Sequence, residues 1–280
     1  MNTNKPTSED KPTSEDKHPS EYKPSGEEKE GYMQSAQNIH IFPGIDSSFF
    51  FHGTFNRYGG VSPSPWDSNN ISSGLGDNSE NVRANREQIK KAIGFKHLVS
   101  AKQVHGSRVY IVAESPPCDL EVEGFDALIT NVPGISLMIQ QADCQAVFLF
   151  DAENKAIGIA HVGWRGSVAD IIAATVFALS HAFATEPADL IAAISPSLGP
   201  CCAEFVNYRS ELPVSLHDYQ VRPDYFDFWA ISRDQLCAAG VRPENIHVEK
   251  ICTCCNRDYF SYRRDRETGR FASVIGLTGR

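Results

Sequence analysis

The chain has 280 residues, of which 41% are apolar, and its formal net charge is −9. A net negative charge argues against a broad nucleic-acid-binding surface, and no apolar run approaches the roughly 18 residues that cross a membrane. The polar start lacks the apolar segment of a signal peptide, so we expect a cytoplasmic protein whose eight cysteines are mostly reduced.

Residues 1–36 are predicted to be a disordered, low-complexity tail, and residues 37–280 a single domain. The hexapeptide Lys-Pro-Thr-Ser-Glu-Asp occupies residues 5–10 and again residues 11–16. Ordering such a segment would cost conformational entropy while burying almost no apolar surface. The tail is therefore interpreted as solvated, and a tether for a partner is the alternative.

The domain is predicted to begin with a strand, a glycine turn and a helix. The aromatic run at residues 49–51 indicates the strand. Arg57 lies in the glycine turn that follows, where it either holds an anion or is an ordinary surface arginine. The helix is predicted over residues 80–93, with Asp77 or Ser79 as its cap.

Two hairpins are expected after this helix. The first pairs residues 98–104 with 108–113 and places His105 at its bend. The second pairs residues 126–130 with 135–139 around an Asn-Val-Pro-Gly turn.

Two short apolar runs in the middle of the chain indicate an antiparallel pair of buried strands. They span residues 146–150 and 156–160, with the Glu153-Asn154 turn between them. Cys144 precedes the first strand and His161 follows the second, so their side chains should be neighbours. A thiolate beside an imidazole forms either a metal site or a nucleophile with its base.

The rest of the domain is predicted to alternate helices and strands. The predicted elements are a long helix capped by Ser167 and ending near residue 183, a strand at 190–194, a helix at 227–239, a strand at 246–251, a strand and turn at 259–265, and a strand at 271–277. Hairpin-like turns outnumber long crossovers. The fold class is therefore predicted as α/β, a single layered domain with mixed, largely antiparallel β-sheets flanked by helices.

Two groups of side chains could bind metal. His105, Cys144 and His161 could hold zinc with an open position for water or substrate, and the alternative is a buried cysteine with two strand-end histidines bonded to backbone. The second group, Cys252-Thr-Cys254-Cys255, lacks another Cys-x-x-Cys pair or a nearby histidine, so a closed zinc site there is weakly supported. Because no two of the nine histidines have His-x-His spacing, a multicopper cluster is disfavoured.

Seven motifs in this order resemble those of the multicopper polyphenol oxidoreductase (laccase) domain family. They are residues 54–62, 103–106, 142–144, 161–166, 199–202, 252–254 and 260–265. Members of this family are also described as purine nucleoside phosphorylases and, in bacteria, as the peptidoglycan editing factor. The resemblance covers about residues 40–280 and leaves out the tail.

The resemblance implies a layered α/β domain, distantly similar to the catalytic domain of a bacterial Rho-deamidating toxin, and a Zn²⁺ ion on His105, Cys144 and His161, with copper possible. It also implies phosphorolysis of adenosine, guanosine, inosine or methylthioadenosine, and deamination of adenosine. The partners would be purine nucleosides and phosphate, with no nucleic acid and no membrane. The oligomeric state is left open. Gln141 and Val162 depart from the family's usual threonine and alanine, and Gln141 is expected to alter the pocket wall.

This resemblance suggests roles for several residues. Arg57, Arg263 or Arg264 would bind phosphate, because guanidinium forks match phosphate oxygens. Asp143 is a candidate base or a support for the neighbouring ligand Cys144. A further substrate-binding candidate is Gln103, and Trp164 would either stack on a base or belong to the core.

Three alternatives remain at this point. Cys144 and His161 could be the nucleophile and base of a cysteine-type hydrolase that edits a peptidoglycan precursor. A copper-dependent polyphenol oxidase is the second alternative. The third is a binding or scaffold protein with a vestigial site.

Overall fold

Apolar side chains from two β-sheets meet face to face at the centre of the molecule. The structure is a computed structural model and describes residues 38–43, 45 and 49–278. The predicted tail lies outside these residues. Among the described residues, no helix combines the length and the apolar character that a membrane crossing requires.

Fourteen strands are present in the described part of the chain. They are β1 Ile39–His40, β2 Phe50–Phe55, β3 His97–Lys102, β4 Val109–Val112, β5 Leu120–Glu123, β6 Ala127–Thr130, β7 Ile135–Gln141, β8 Gln145–Asp151, β9 Ala156–Val162, β10 Ile191–Ile194, β11 Gln220–Arg222, β12 Tyr225–Phe226, β13 Ile246–Val248 and β14 Phe271–Leu277. The α-helices are α1 Ser79–Ile93, α2 Trp164–Val168, α3 Ile171–Phe183, α4 Tyr208–Glu211, α5 Phe228–Ala238 and α6 Tyr262–Asp265.

Two six-stranded sheets contain most of these strands. The first sheet has the order β1-β2-β14-β7-β3-β5, and the second has the order β13-β10-β8-β9-β6-β4. Most neighbouring strands are antiparallel, whereas β3 is parallel to both β5 and β7. The two remaining parallel pairs are β4 with β6 and β10 with β13. The predicted class of mixed, largely antiparallel sheets flanked by helices is confirmed.

The packing forms four layers. Side chains such as Leu137 and Phe148 fill the space between the two sheets. The other face of the second sheet packs on α3 and α5 through residues that include Leu179 and Leu236. Helix α1 covers the first sheet through Ile89. Burial of each such aliphatic side chain contributes about 1.5–3 kcal/mol.

The two predicted hairpins are wrong. Strands β3 and β4 belong to different sheets, and so do β6 and β7. The turn signals correctly place the bends, but after each bend the chain crosses from one sheet to the other. All four residues of β6 are buried. Its apolar side chains therefore do not reveal whether the next strand pairs with it in the same sheet or packs against it from the facing sheet.

The predicted long helix after Ser167 is two helices. Helix α2 ends at Val168, and Asp170, with φ 52°, begins α3 by accepting a hydrogen bond from the Ala173 N–H at 3.3 Å. An aspartate before an apolar run is a strong N-cap. Ser167 is not a cap, because its hydroxyl is buried and donates to the Gly163 carbonyl.

Two smaller predictions also need correction. Asn78, and not Asp77 or Ser79, caps α1 by accepting a hydrogen bond from the Glu80 N–H at 2.8 Å. The predicted strand at residues 259–265 is a loop followed by α6, because the Ser261 hydroxyl accepts from the Arg264 N–H and starts a helical turn. The predicted helices at 80–93 and 227–239 are confirmed to within a residue or two.

Candidate active site

Two chain crossings and the end of β9 bring His105, Cys144 and His161 together. Strands β8 and β9 form the predicted antiparallel pair, with Ala146 opposite His161. Cys144 therefore lies beside the end of β9. His105 lies in the bend between β3 and β4 and has a left-handed backbone with φ 61°.

These three residues each place a donor atom within 4.8 Å of the other two. The rings of His105 and His161 are edge to face, with 4.8 Å between their centroids. Gly163 makes this approach possible, because a Cβ atom there would lie 2.9 Å from the Cys144 Sγ and 3.2 Å from the His105 ring. Two imidazoles and a thiolate are a donor set suited to a divalent metal such as zinc.

Asp126 holds both histidines in place. Its side chain is fully buried and accepts hydrogen bonds from the backbone N–H groups of His105 and Gly106, each at 2.8 Å, and of Val104 at 3.2 Å. The same carboxylate lies 3.0 Å from the His161 Nδ1. This contact leaves the His161 Nε2 free to face Cys144.

The charged forms of Asp126, Cys144 and His161 stabilise one another. Burial opposes ionisation of Asp126, but hydrogen bonds from His161, Gly106 and His105 outweigh it and lower the pKa of the carboxyl group. Burial also opposes the Cys144 thiolate, but the charge of His161 and hydrogen bonds from both histidines lower the pKa of Cys144 to about 6. The same pairing overcomes burial at His161 and raises its pKa to about 9.

A cavity of about 720 Å³ opens over this triad. Its wall includes the aromatic side chains of Trp164, Phe205, Phe228 and Tyr262. The wall also contains a group of arginines, here called the arginine cluster, which consists of Arg165, Arg263, Arg266 and Arg270. The cavity therefore combines stacking surfaces with positive charge, although the whole chain is acidic.

The two glutamates of the cavity wall form ion pairs outside the arginine cluster, whereas the Asp143 carboxylate is close enough to Arg270 to offset part of its charge. Glu121 forms an ion pair with Arg86, and Glu123 with Lys102. Asp143 accepts hydrogen bonds through both carboxylate oxygens, from the Thr253 hydroxyl at 2.8 Å and from the Arg263 N–H at 2.6 Å. Its backbone carbonyl accepts from the Leu198 N–H at 2.8 Å. The geometry thus favours a supporting role for Asp143.

Of the four predicted substrate-binding residues, two line the cavity and two do not. Arg263 lines the cavity, and its Nη1 donates to the Glu204 carbonyl. Arg57 pairs with Asp67 at 3.1 Å and stacks over Phe260. The Arg264 side chain donates to several loop carbonyls and to Asp265. Gln103 lines the cavity, but its amide group bonds both backbone groups of Gln140 at 2.9 Å.

Two further residues acquire roles that their patterns did not indicate. Gln141 is buried and donates to the Cys144 carbonyl at 2.7 Å, so it supports the backbone of the cysteine and is not exposed in the wall. The sequence pattern puts Asp126 at the start of a strand and gives it no role. Its charge is the signal for one, because a carboxylate next to a mainly apolar strand must find buried partners.

The chain is similar to known proteins over most of its length. The family model described as multi-copper polyphenol oxidoreductase laccase matches residues 51–278. Purine nucleoside phosphorylase ORF3 of Streptomyces griseus is 34% identical over 229 residues, which cover 79% of this chain and 92% of that protein. Purine nucleoside phosphorylase YfiH of Escherichia coli is 33% identical, with 79% and 91% covered.

The fold also matches solved structures. The crystal structure of YlmD from Geobacillus stearothermophilus has a TM-score of 0.75 and 30% sequence identity, and the match covers 82% of this chain and 93% of that chain.

Proposed function

The chain belongs to the multi-copper polyphenol oxidoreductase laccase family, and on that premise we propose that it is a zinc-dependent purine nucleoside phosphorylase. The relatives named purine nucleoside phosphorylase are similar to it over nearly their whole length. The observation that carries the proposal is one cavity in which an aromatic wall, the arginine cluster and the histidine–cysteine triad face the same space.

The aromatic wall suits the purine. Trp164 carries the Arg165 guanidinium 4.1 Å over its ring, and Phe205 approaches the same indole edge to face. Flat rings of this kind stack on a purine of any substitution. This tolerance is consistent with a substrate class that includes adenosine, guanosine, inosine and methylthioadenosine.

The arginine cluster suits the phosphate. Phosphorolysis requires a phosphate oxygen to approach C1′ of the ribose while the bond between C1′ and the purine nitrogen breaks. Arg263 and Arg270 each use Nη1 to bond main-chain carbonyls, which fixes the two guanidinium planes before phosphate arrives. Fixed guanidinium groups bind phosphate oxygens and stabilise the developing charge without further reorganisation.

The histidine–cysteine triad suits a metal. His105, Cys144 and His161 would hold Zn²⁺, which would act as a Lewis acid at the face of the cavity. Asp126 fixes the tautomer of His161 and the turn that carries His105, while Asp143 and Gln141 fix the backbone on either side of Cys144. These three are positioning residues.

The test is product analysis with the purified full chain. Each of the four nucleosides is incubated with phosphate, and the products are separated by chromatography. We expect free purine base and ribose 1-phosphate, formed only when phosphate is present. The Cys144→Ala variant should lose turnover and the zinc ion held by His105, Cys144 and His161, whereas Cys118→Ala, which replaces an exposed cysteine, should lose neither.

Other products would identify other functions. Base without ribose phosphate would indicate hydrolysis, and inosine from adenosine would add the proposed deamination. Turnover that survives complete zinc removal and stops on alkylation of Cys144 would indicate a cysteine hydrolase. Oxygen uptake with a phenol and bound copper would indicate the oxidase, and no product from any nucleoside would overturn the proposal.

A further inference from the structure

Four cysteines outside the cavity form a second cluster. Cys201 and Cys202 lie in the turn after β10, and Cys252 and Cys255 lie in the loop after β13. One sulfur from each lies within 4.8 Å of the other three. The Cys255 Sγ is 3.6 Å from that of Cys201 and 3.4 Å from that of Cys202. We call this group the thiol cluster.

The backbone brings the two loops side by side. Ser197 and Cys252 form an isolated parallel bridge, in which the Thr253 N–H donates to the Ser197 carbonyl at 3.0 Å and the Ser197 N–H to the Ile251 carbonyl at 3.1 Å. Gly199 permits this approach, because a Cβ atom there would lie 3.0 Å from the Cβ of Cys252. The cluster therefore rests on a fixed framework and not on the chance meeting of surface side chains.

Backbone N–H groups donate hydrogen bonds to one of the four sulfurs, that of Cys252. The Gly199 N–H donates to the Cys252 Sγ at 3.3 Å, and the backbone of Cys255 and Cys254 also bonds this sulfur. Amide groups directed at a cysteine sulfur stabilise its thiolate, which is the form that binds metal. Cys252 and Cys255 have Cys-x-x-Cys spacing, and the turn between them provides two of these amides.

Positive charge lies next to both loops. Arg222 donates to the Cys201 carbonyl at 2.9 Å. Arg264 donates through Nη1 to the carbonyls of Thr253 at 2.9 Å and Cys254 at 3.2 Å. A divalent ion with four thiolates carries two net negative charges. Arg222 would offset part of this charge, whereas Arg264 shares its positive charge with Asp265.

We propose that Cys201, Cys202, Cys252 and Cys255 bind a second Zn²⁺ ion in a closed tetrathiolate site. Zinc–sulfur bonds of about 2.3 Å in a tetrahedron separate the sulfurs by about 3.8 Å. The two separations that involve the Cys255 Sγ, 3.4 and 3.6 Å, need only a small expansion to reach this value, and every pair of sulfurs lies within 4.8 Å. The second Cys-x-x-Cys pair of an ordinary zinc site is replaced by the adjacent Cys201-Cys202, which the fold brings from a distant turn.

The closed site would act on the active site through the backbone. The two loops that carry the thiol cluster also contain Leu198 and Thr253, which bond the backbone and the carboxylate of Asp143. Asp143 in turn adjoins Cys144. A metal that joins these loops would fix the floor of the cavity, and it would do so whatever reaction the cavity performs.

Metal counting by native mass spectrometry tests the proposal in the full chain, purified without chelator and with reductant. We expect two zinc ions per chain in the wild type. Cys255→Ser and Cys201→Ser should each retain one ion, at His105, Cys144 and His161. Cys144→Ala should also retain one ion, held by the thiol cluster. Cys118→Ser is the matched control and should retain two.

Cobalt substitution separates the two sites without a variant in the thiol cluster. Co²⁺ in the Cys144→Ala protein should give the intense sulfur-to-cobalt charge-transfer absorption of a tetrathiolate site. The proposal is overturned if the wild type holds one zinc ion that Cys144→Ala removes completely. It is also overturned if peptide mapping of the native protein finds Cys255 in a disulfide with Cys201 or Cys202. Neither result depends on nucleoside turnover.

Discussion

At the scale of single residues, Asp126 connects the two histidines of the candidate metal site. Its oxygens bond the backbone around His105 and the ring of His161, and it has no exposed surface. The strand ends and the family resemblance predict the three residues of the triad, but they do not predict this support. A single buried carboxylate produces no periodic pattern in the sequence, and its partners lie in two separate segments of the chain.

We expect the triad of the Asp126→Asn variant to bind zinc about 10–100-fold more weakly, because an uncharged amide orients His161 less firmly. Competition with a chelator of known affinity measures the change. Asp151→Asn is the matched control, because Asp151 is also a buried carboxylate of the second sheet, where it accepts from the Glu153 and Asn154 N–H groups. Equal loss of affinity in both variants would contradict the role given to Asp126.

The second residue-scale prediction concerns the Cys144 thiol in the metal-free protein. Because the pKa of Cys144 is lowered to about 6, the reactive thiolate should predominate at pH 7 and disappear as pH falls through 6. The rate of alkylation by iodoacetamide, followed by peptide mass spectrometry, should therefore show a midpoint near pH 6.

The partner of this thiolate provides the control. In His161→Gln the positive charge is absent, so the midpoint should move upward toward the ordinary thiol value of 9.0. A wild-type midpoint already near that value would show that His161 does not stabilise the Cys144 thiolate. Zinc binding to the triad at pH 7.5 should also release about one proton, because His161, with its pKa raised to about 9, must lose its proton to bind metal.

At the scale of elements, the sequence predicts which segments form strands and helices better than it predicts which strands pair. The β8–β9 pair and the helix at 79–93 were recognisable because period and turn residues are local. The bends after β3 and β6 were recognisable too, but not the crossing into the other sheet. A strand that is buried on both faces has the same composition in either sheet.

The break between α2 and α3 gives an element-scale prediction. Asp170→Ala should lower the free energy of unfolding by about 0.5–2 kcal/mol, because it removes the N-cap of a 13-residue helix that packs on β9. Urea denaturation measures this change. Asp170→Asn should cost less, because asparagine both caps helices and tolerates the left-handed backbone at this position. Equal losses would assign the effect to charge and not to capping.

At the scale of the whole molecule, a protein with a net charge of −9 concentrates arginines in one cavity. This distribution directs anions to the cavity while the rest of the surface repels them. The cysteines show the same contrast between sequence and fold. Cys201-Cys202 and Cys252–Cys255 are separate motifs along the chain, and the Ser197–Cys252 bridge brings their loops together in the fold.

We expect inorganic phosphate to stabilise the protein against thermal unfolding. At a concentration 100 times its Kd, binding would contribute about 2.7 kcal/mol, and the melting temperature should rise with concentration. Arg263→Gln and Arg270→Gln should reduce this rise. Arg57→Gln, which removes an arginine paired with Asp67, should leave the rise intact, and its loss in that variant alone would return the phosphate site to the glycine turn.

The route of the chain between the sheets has a consequence for assembly. His105 lies on the crossing from the first sheet to the second, and Cys144 lies on the later crossing from β7 to β8. Both crossings lead into the second sheet, where β4, β8 and β9 hold the three donors near their ends. During refolding, binding of zinc to the triad should therefore report that β4 has joined β8 and β9 in this sheet, and a chain in which β4 is still apart would leave the triad without its ion.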